Sequence, residues 1–226
     1  MFVQTPLCLL VLCLWSAIAV AQQTEAEYLL DASIPVDTDR YKDIRGNPYR
    51  YDGFLPGTIY DNTLNAYEID SLNFNGHRSE FEYYVDGELR SLNNLNFLRV
   101  EIVTEDGTQH DYGWNIVQAF PNAYAEILFA GDFITGLVVY EVINDEKVVQ
   151  DVGKTLRLQR FSPKTHHYAV VDGELVSLSS KAKRLAGELG FPKQIQQRIK
   201  QQNLKPTRRE ELIEILAYAE ELYAEN

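Results

Sequence analysis

Glu80-Phe81-Glu82-Tyr83-Tyr84-Val85-Asp86-Gly87-Glu88-Leu89-Arg90-Ser91-Leu92 is the stretch on which the fold class turns. Phe81, Tyr83 and Val85 alternate with Glu80, Glu82 and Tyr84, the period of a strand with one dry face and one wet face. Asp86-Gly87 then suits a type I′ turn, whose two central residues both need positive φ. The same pairing of signals recurs outward along the chain. Asp-Gly stands at 52–53, 106–107 and 172–173 as well, and Asn-Gly at 75–76. Leu98, Val100 and Ile102 alternate with Arg99, Glu101 and Val103, and Leu156 and Leu158 alternate with Arg157 and Gln159. Leu137 to Ile143 is apolar on both faces except at Glu141, as a central strand is. Asn144-Asp145-Glu146-Lys147 then reads as a turn back into Val148-Val149. Val170 to Leu178 echoes Tyr84 to Leu92, an internal similarity that hairpin chemistry explains as well as duplication does.

Either side of this β region the pattern changes. Residues 22–56 carry isolated apolar positions broken by Pro35, Gly46-Asn47-Pro48 and Pro56-Gly57, and read as an irregular segment ending in a tyrosine-rich loop. From Ser179 the period becomes helical. Ala182, Leu185, Ala186 and Leu189 share a face closed by Gly190; Pro192 opens a second helix with Ile195 and Ile199 inward. A capping box from Thr207 to Glu210 starts a third, with Leu212, Ile215, Leu216, Ala219 and Leu222 on one stripe. The expected fold class is α+β: an antiparallel β domain over 57–178, as a meander, sandwich or open barrel, followed by two to three short helices over 179–226.

The N-terminus indicates a compartment. Leu7 to Val20 is an apolar run of 14 residues, the length of a signal-peptide core and short of the ~20 that span a bilayer. Ala19-Val20-Ala21 places cleavage after Ala21, although no Lys or Arg precedes the run. Cys8 and Cys13, the only cysteines, would leave with it. The expected mature chain is exported, periplasmic or secreted, has no transmembrane span, and has neither disulfide nor thiol chemistry. Of the net charge of −12, residues 22–150 hold 23 acids and 8 bases, and residues 151–226 hold 10 and 13. An acidic body repels phosphate backbones, so no nucleic-acid partner is expected. The basic helical tail, with Lys181, Lys183, Arg184, Arg208 and Arg209 among its cations, reads as a docking surface instead.

The ends of the mature chain resemble a family of exported bacterial β-rich proteins of unknown function. The resemblance lies in Gly46-Asn47-Pro48-Tyr49 with Phe54-Leu55-Pro56-Gly57, in Tyr168 to Gly173 with Leu178-Ser179-Ser180-Lys181, and in Ile195, Ile199, Lys200 and Leu204. It implies an exported protein of β-then-helix architecture and no particular activity.

No zinc-protease, serine-hydrolase or phosphate-loop motif occurs, and no cofactor or metal is expected. The candidate catalytic residues are the paired carboxylates Glu80 and Glu82, which share a strand face at roughly glycosidase spacing, and His110 with Asp111 as a base beside an acid. His166-His167 would point to opposite faces of a strand and could not chelate together. Asp37 to Asp43 lacks the glycine and terminal glutamate of a calcium loop. Tyr49, Tyr51, Tyr84, Tyr112 and Trp114 are candidate ligand platforms, with strand packing as the commoner use of such residues. The functional expectation is a non-enzymatic binding or structural module of the bacterial envelope, its partner an envelope protein or glycan. The alternative is a carbohydrate-active hydrolase using paired carboxylates.

Overall fold

The computed structural model describes residues 27–151 and 154–225. The expected signal segment, its cleavage point and both cysteines lie outside them. The fold is α+β: one large, almost wholly antiparallel sheet followed by helices. A helical turn over residues 27–31 (α1) leads into β1 (Ser33–Pro35) and β2 (Ile44–Arg45). The main strands are β3 (Leu55–Asp61), β4 (Ala66–Asn75), β5 (Glu80–Val85), β6 (Glu88–Leu92), β7 (Phe97–Val103), β8 (Gln109–Trp114) and β9 (Tyr124–Ala130). Two long strands, β10 (Ile134–Asp151) and β11 (Lys154–Val171), and a short β12 (Glu174–Ser177) complete the sheet. Its order is β1-β6-β5-β4-β3-β7-β8-β9-β10-β11-β12, with β2 added to β11 in parallel. The topology is therefore two meanders joined at β3, which pairs with both β4 and β7.

Asp86-Gly87 and Asp172-Gly173 make the turns expected of them, with φ of 50° and 79° at the first and 48° and 83° at the second, whereas Asp52-Gly53, Asn75-Gly76 and Asp106-Gly107 do not have positive φ at both residues and are not type I′ turns. The hairpin β5–β6 pairs Glu82 with Ser91 and Tyr84 with Leu89. Two readings of the pattern are corrected. Asn144 to Lys147 is not a turn: β10 runs straight through it and pairs with β11 from Ile134↔Val171 to Asp151↔Lys154. Backbone pairing over the whole hairpin outweighs the local turn preference of four polar residues. Leu98 does not share the inward face with Val100. β3 pairs Tyr60 with Arg99 but Asp61 with Phe97, so one extra residue bulges out of β7. The bulge turns Phe97 inward, to 0 % exposure, and leaves Leu98 43 % exposed. Phe97→Ala is expected to cost about 3–5 kcal/mol of stability and Leu98→Lys less than about 0.5 kcal/mol. Urea denaturation of the two variants checks the register, and the reverse ranking would refute the bulge.

The sheet coils without closing. The turn after β4 reaches β10, where Val142 N–H donates to the Gly76 carbonyl at 3.0 Å. Inside the coil lies an aromatic core of Phe74, Phe81, Tyr83, Phe97, Tyr112 and Tyr124, with Ile59, Leu72, Val100 and Ile102. Phe81 sits 5.0 Å from Tyr112 and 4.9 Å from Tyr124, both edge-to-face, the arrangement aromatic quadrupoles favour. Leu29 and Ala32 of the N-terminal segment plug this core, and the Tyr83 hydroxyl donates to the Leu29 carbonyl at 2.9 Å.

A second core joins the sheet to the helices α2 (Ala182–Glu188), α3 (Pro192–Gln202) and α4 (Arg209–Ala224). Leu128, Ile134, Val138, Ala169 and Val171 meet Leu185, Ile195, Leu212, Ile215 and Leu216 there. Gly136 is the seat for Leu216: a Cβ at 136 would stand 2.5 Å from the Leu216 Cδ1. Glu220 of α4 accepts backbone N–H groups of Asp132, Phe133 and Ile134, so the helix also grips the β9–β10 turn. The expected capping box is absent. The helix starts one residue later than that box requires, so its N-cap is Arg208, with no side-chain cap bond, and Glu211 turns back to the Lys205 N–H and the Arg208 guanidinium. Among the described residues no helix is long and apolar enough to cross a membrane.

Candidate functional site

The structure places Glu80 and Glu82 in different environments. Strand alternation sends both to the face opposite Phe81, and residues 40–49 fold back over that face at Glu82. The Glu82 carboxylate is 0 % exposed. Its Oε1 accepts from Arg40 Nη2 at 2.8 Å and Asn75 Nδ2 at 2.7 Å. Its Oε2 accepts from Arg40 Nη2 at 2.6 Å and Tyr49 Oη at 2.7 Å. Burial, and then the Glu82 contact, push the Tyr49 hydroxyl well above its ordinary pKa, so it stays a proton donor. A carboxylate with both oxygens doubly bonded holds the N-terminal segment onto the sheet and has no lone pair directed at solvent. Glu80 is half-buried at the rim, bound by Arg78 at 3.2 Å and by Ser91 Oγ at 3.0 Å.

His110 and Asp111 likewise part company, because neighbouring residues of a strand face opposite ways. Asp111 points out to Arg99, whose Nε and Nη2 donate at 2.8 and 2.9 Å. His110 points in, and its acid partner is Glu126 of β9, at 2.7 Å from Nδ1. Glu126 is also 0 % exposed. It accepts from Arg50 Nη2 at 2.7 Å and from Arg209 at the start of α4. Burial alone would raise the Glu126 pKa, but the His110 bond and the guanidiniums of Arg50 and Arg209 outweigh it and hold the carboxyl below its ordinary value. Sequence reasoning singled out His110 and placed Arg209 on a docking surface, but missed Glu126 and Arg50, the groups that bring the two together. The one local signal was a lone Glu in an otherwise apolar strand, Tyr124-Ala125-Glu126-Ile127-Leu128.

The tyrosine candidates divide in the same way. Tyr112 is 1 % exposed and its hydroxyl lies 2.6 Å from that of Tyr51; Tyr51 in turn packs edge-on against His110. Tyr49 is spent on Glu82. Tyr84 is 45 % exposed and lies against Phe54. His77 bonds the Val142 carbonyl, His166 lies against Phe120, and His167 lines a cavity elsewhere. Asp37 accepts the Asp39 N–H in a local turn, and among the described residues no three His, Cys, Asp or Glu side chains converge as metal ligands.

Trp114 and Glu80 do share a surface. An open groove of about 560 Å³ runs between the β1 segment, the β4–β5 turn and the end of β8. Trp114, Glu80, Arg78, Arg40, Asn94 and Asn122 line it. Trp114 is braced from behind by Tyr124, with ring centroids 4.9 Å apart. Two lining residues, Asn94 through Oδ1 and Arg40 through Nε, have a buried polar atom that the protein leaves unpartnered. A buried polar atom without a partner costs free energy that a ligand or water recovers. Chemically the groove offers one indole, side-chain amides, the two carboxylates of Glu80 and Asp37 and two guanidiniums, a set suited to a polar molecule with hydroxyl and amide groups. No protein-family model, curated protein or solved structure matches this chain, so the groove stands on its own geometry.

Proposed function

We propose that the chain is a non-enzymatic binding module of the bacterial envelope and that the groove beside Trp114 takes a glycan. The observation that carries this reading is the meeting of a braced indole with the unpartnered Asn94 Oδ1 and Arg40 Nε in one open groove. Sugars present an apolar ring face for stacking and a rim of hydroxyls for such atoms. The apolar run from Leu7 to Val20 and the resemblance to exported bacterial proteins support the envelope. The hydrolase alternative paired Glu80 with Glu82, and Glu82 is saturated by Arg40, Tyr49 and Asn75.

In a chain beginning at Gln22, Trp114 is the one tryptophan, so its emission reports on the groove directly. Titration with chito-oligosaccharides and soluble peptidoglycan fragments is expected to shift that emission saturably. Asn94→Ala is expected to weaken binding about tenfold, the worth of one buried hydrogen bond. No change with any glycan removes the proposal. Cleavage of the oligosaccharide, lost in Glu80→Gln, would replace it with the hydrolase.

A further inference from the structure

Behind Glu126 lies a second and separate cleft, where the helical tail meets the sheet. One cavity of about 270 Å³ is lined by Arg50, Glu126, Thr165, His167, Thr207 and Arg209, among others. A second of about 190 Å³ adjoins it and shares Thr165, His167 and Thr207. The walls come from β9 and β11 on one side and from the entry to α4 on the other, so the cleft exists only once the tail has docked.

Its charge is opposite to that of the body around it. Among the described residues Glu126 is the only acid lining either cavity, and it faces two guanidiniums. One positive charge is therefore left over, inside a β domain that is strongly acidic as a whole. Each guanidinium carries five N–H donors, and Glu126 engages one nitrogen of each. The cleft also holds polar groups that the fold does not use. The hydroxyls of Thr165 and Thr207 and the imidazole of His167 make no hydrogen bond or ion pair within the described residues. Burial lowers the His167 pKa, while Glu126 pulls it up and Arg50, more weakly, pushes it down. The α4 helix begins at this point with no side-chain cap, and Glu210 and Glu211 in its first turn offset the positive helix end.

We propose that this cleft binds a small molecule through an oxyanion group, phosphate or carboxylate, held between Arg50, Arg209 and His167, with the hydroxyls of Thr165 and Thr207 as further donors. Such a group neutralises the surplus cation, replaces water on donors that the fold leaves open to solvent, Thr165 and Thr207 being exposed, and matches the fork geometry of guanidinium. The inference does not depend on the glycan groove, which uses other residues.

The test is an NMR titration of the histidine ring signals in the exported chain, with His167 assigned by His167→Gln. Inorganic phosphate and succinate are added separately, with sodium chloride at matched ionic strength as the control. The expected result is a saturable shift of the His167 signals with phosphate, succinate or both, and a rise of about one unit in its pKa, the effect of one nearby anion. The more effective of the two identifies the group. Arg209→Gln is expected to weaken binding tenfold or more, the loss of a charge-assisted hydrogen bond. Because that change also touches the docking of α4, Thr165→Val serves as a second variant: it is isosteric and is expected to weaken binding several-fold with unchanged thermal stability. A His167 response that chloride reproduces, or no response to either anion, overturns the proposal.

Discussion

Glu126→Gln is expected to cost about 3–5 kcal/mol at pH 7, because it strands two half-buried guanidiniums and a buried imidazole around a neutral amide. That is a large part of the 5–15 kcal/mol that stabilises an ordinary domain, and about 10 °C in Tm for a chain of this size. The ion cluster ties together the N-terminal segment through Arg50, strands β8 and β9 through His110 and Glu126, and the tail through Arg209. The loss should therefore be global and cooperative. Its pH dependence carries a definite sign. The folded protein holds the Glu126 carboxyl below its ordinary value of 4.5. The stabilisation is then fully present above that ordinary value and is lost as the pH falls through the lower, folded value. Urea unfolding of both proteins at neutral and acid pH checks this. The gap between wild type and Glu126→Gln should be widest at neutral pH and shrink on acidification. A gap that stays constant, or widens, would refute the assignment of Glu126 as an ionised, triply held carboxylate.

Ending the chain at Leu178 is expected to have the larger effect still. The five sheet residues Leu128, Ile134, Val138, Ala169 and Val171 are buried only because the helices cover them. Removing the helices presents one contiguous apolar patch to water, takes Glu220 from three backbone N–H groups of the β9–β10 turn, and takes Arg209 from Glu126. The truncated protein should lose its cooperative thermal transition, bind ANS and aggregate. Leu216→Ala, a milder version of the same insult, should cost about 2–5 kcal/mol and leave the fold intact. A truncated chain that melts cooperatively at the wild-type temperature would show that the tail is an appendage and not a wall of the core.

The clearest sequence readings were the local ones. The Glu80 to Leu92 hairpin, the Asp172-Gly173 turn and the three helices at the C-terminal end depend on positive φ at two residues or on a stripe of apolar positions, and both are written within a dozen residues. The readings that failed were those in which a distant partner overrode a local signal. Asn144 to Lys147 looks like a turn until β11 pairs along its length. Leu98 looks inward until the pairing of β3 with β7 introduces a bulge. Glu82 sits on what should be a wet face, and that face is dry because Arg40 and Tyr49, 42 and 33 residues earlier, fold over it.

The candidate sites show the same division more sharply. Trp114 and Glu80 could be named from residue type and strand spacing, but not their shared groove with Asn94 and Arg40. His110 could be named, but its partner is not the adjacent Asp111. It is Glu126, which draws Arg50 from 76 residues before it and Arg209 from 83 residues after it. The sequence by itself determined the α+β class, the turns at Asp86-Gly87 and Asp172-Gly173, the helices and the sign of the charge on each half, because these follow from backbone sterics and side-chain periodicity over short distances. The tertiary structure alone decided which charges meet, which face of each strand is dry, and that the basic tail closes a cleft over a buried carboxylate. Those outcomes depend on desolvating charges that are far apart in the chain, and only the assembled core brings them within hydrogen-bonding distance.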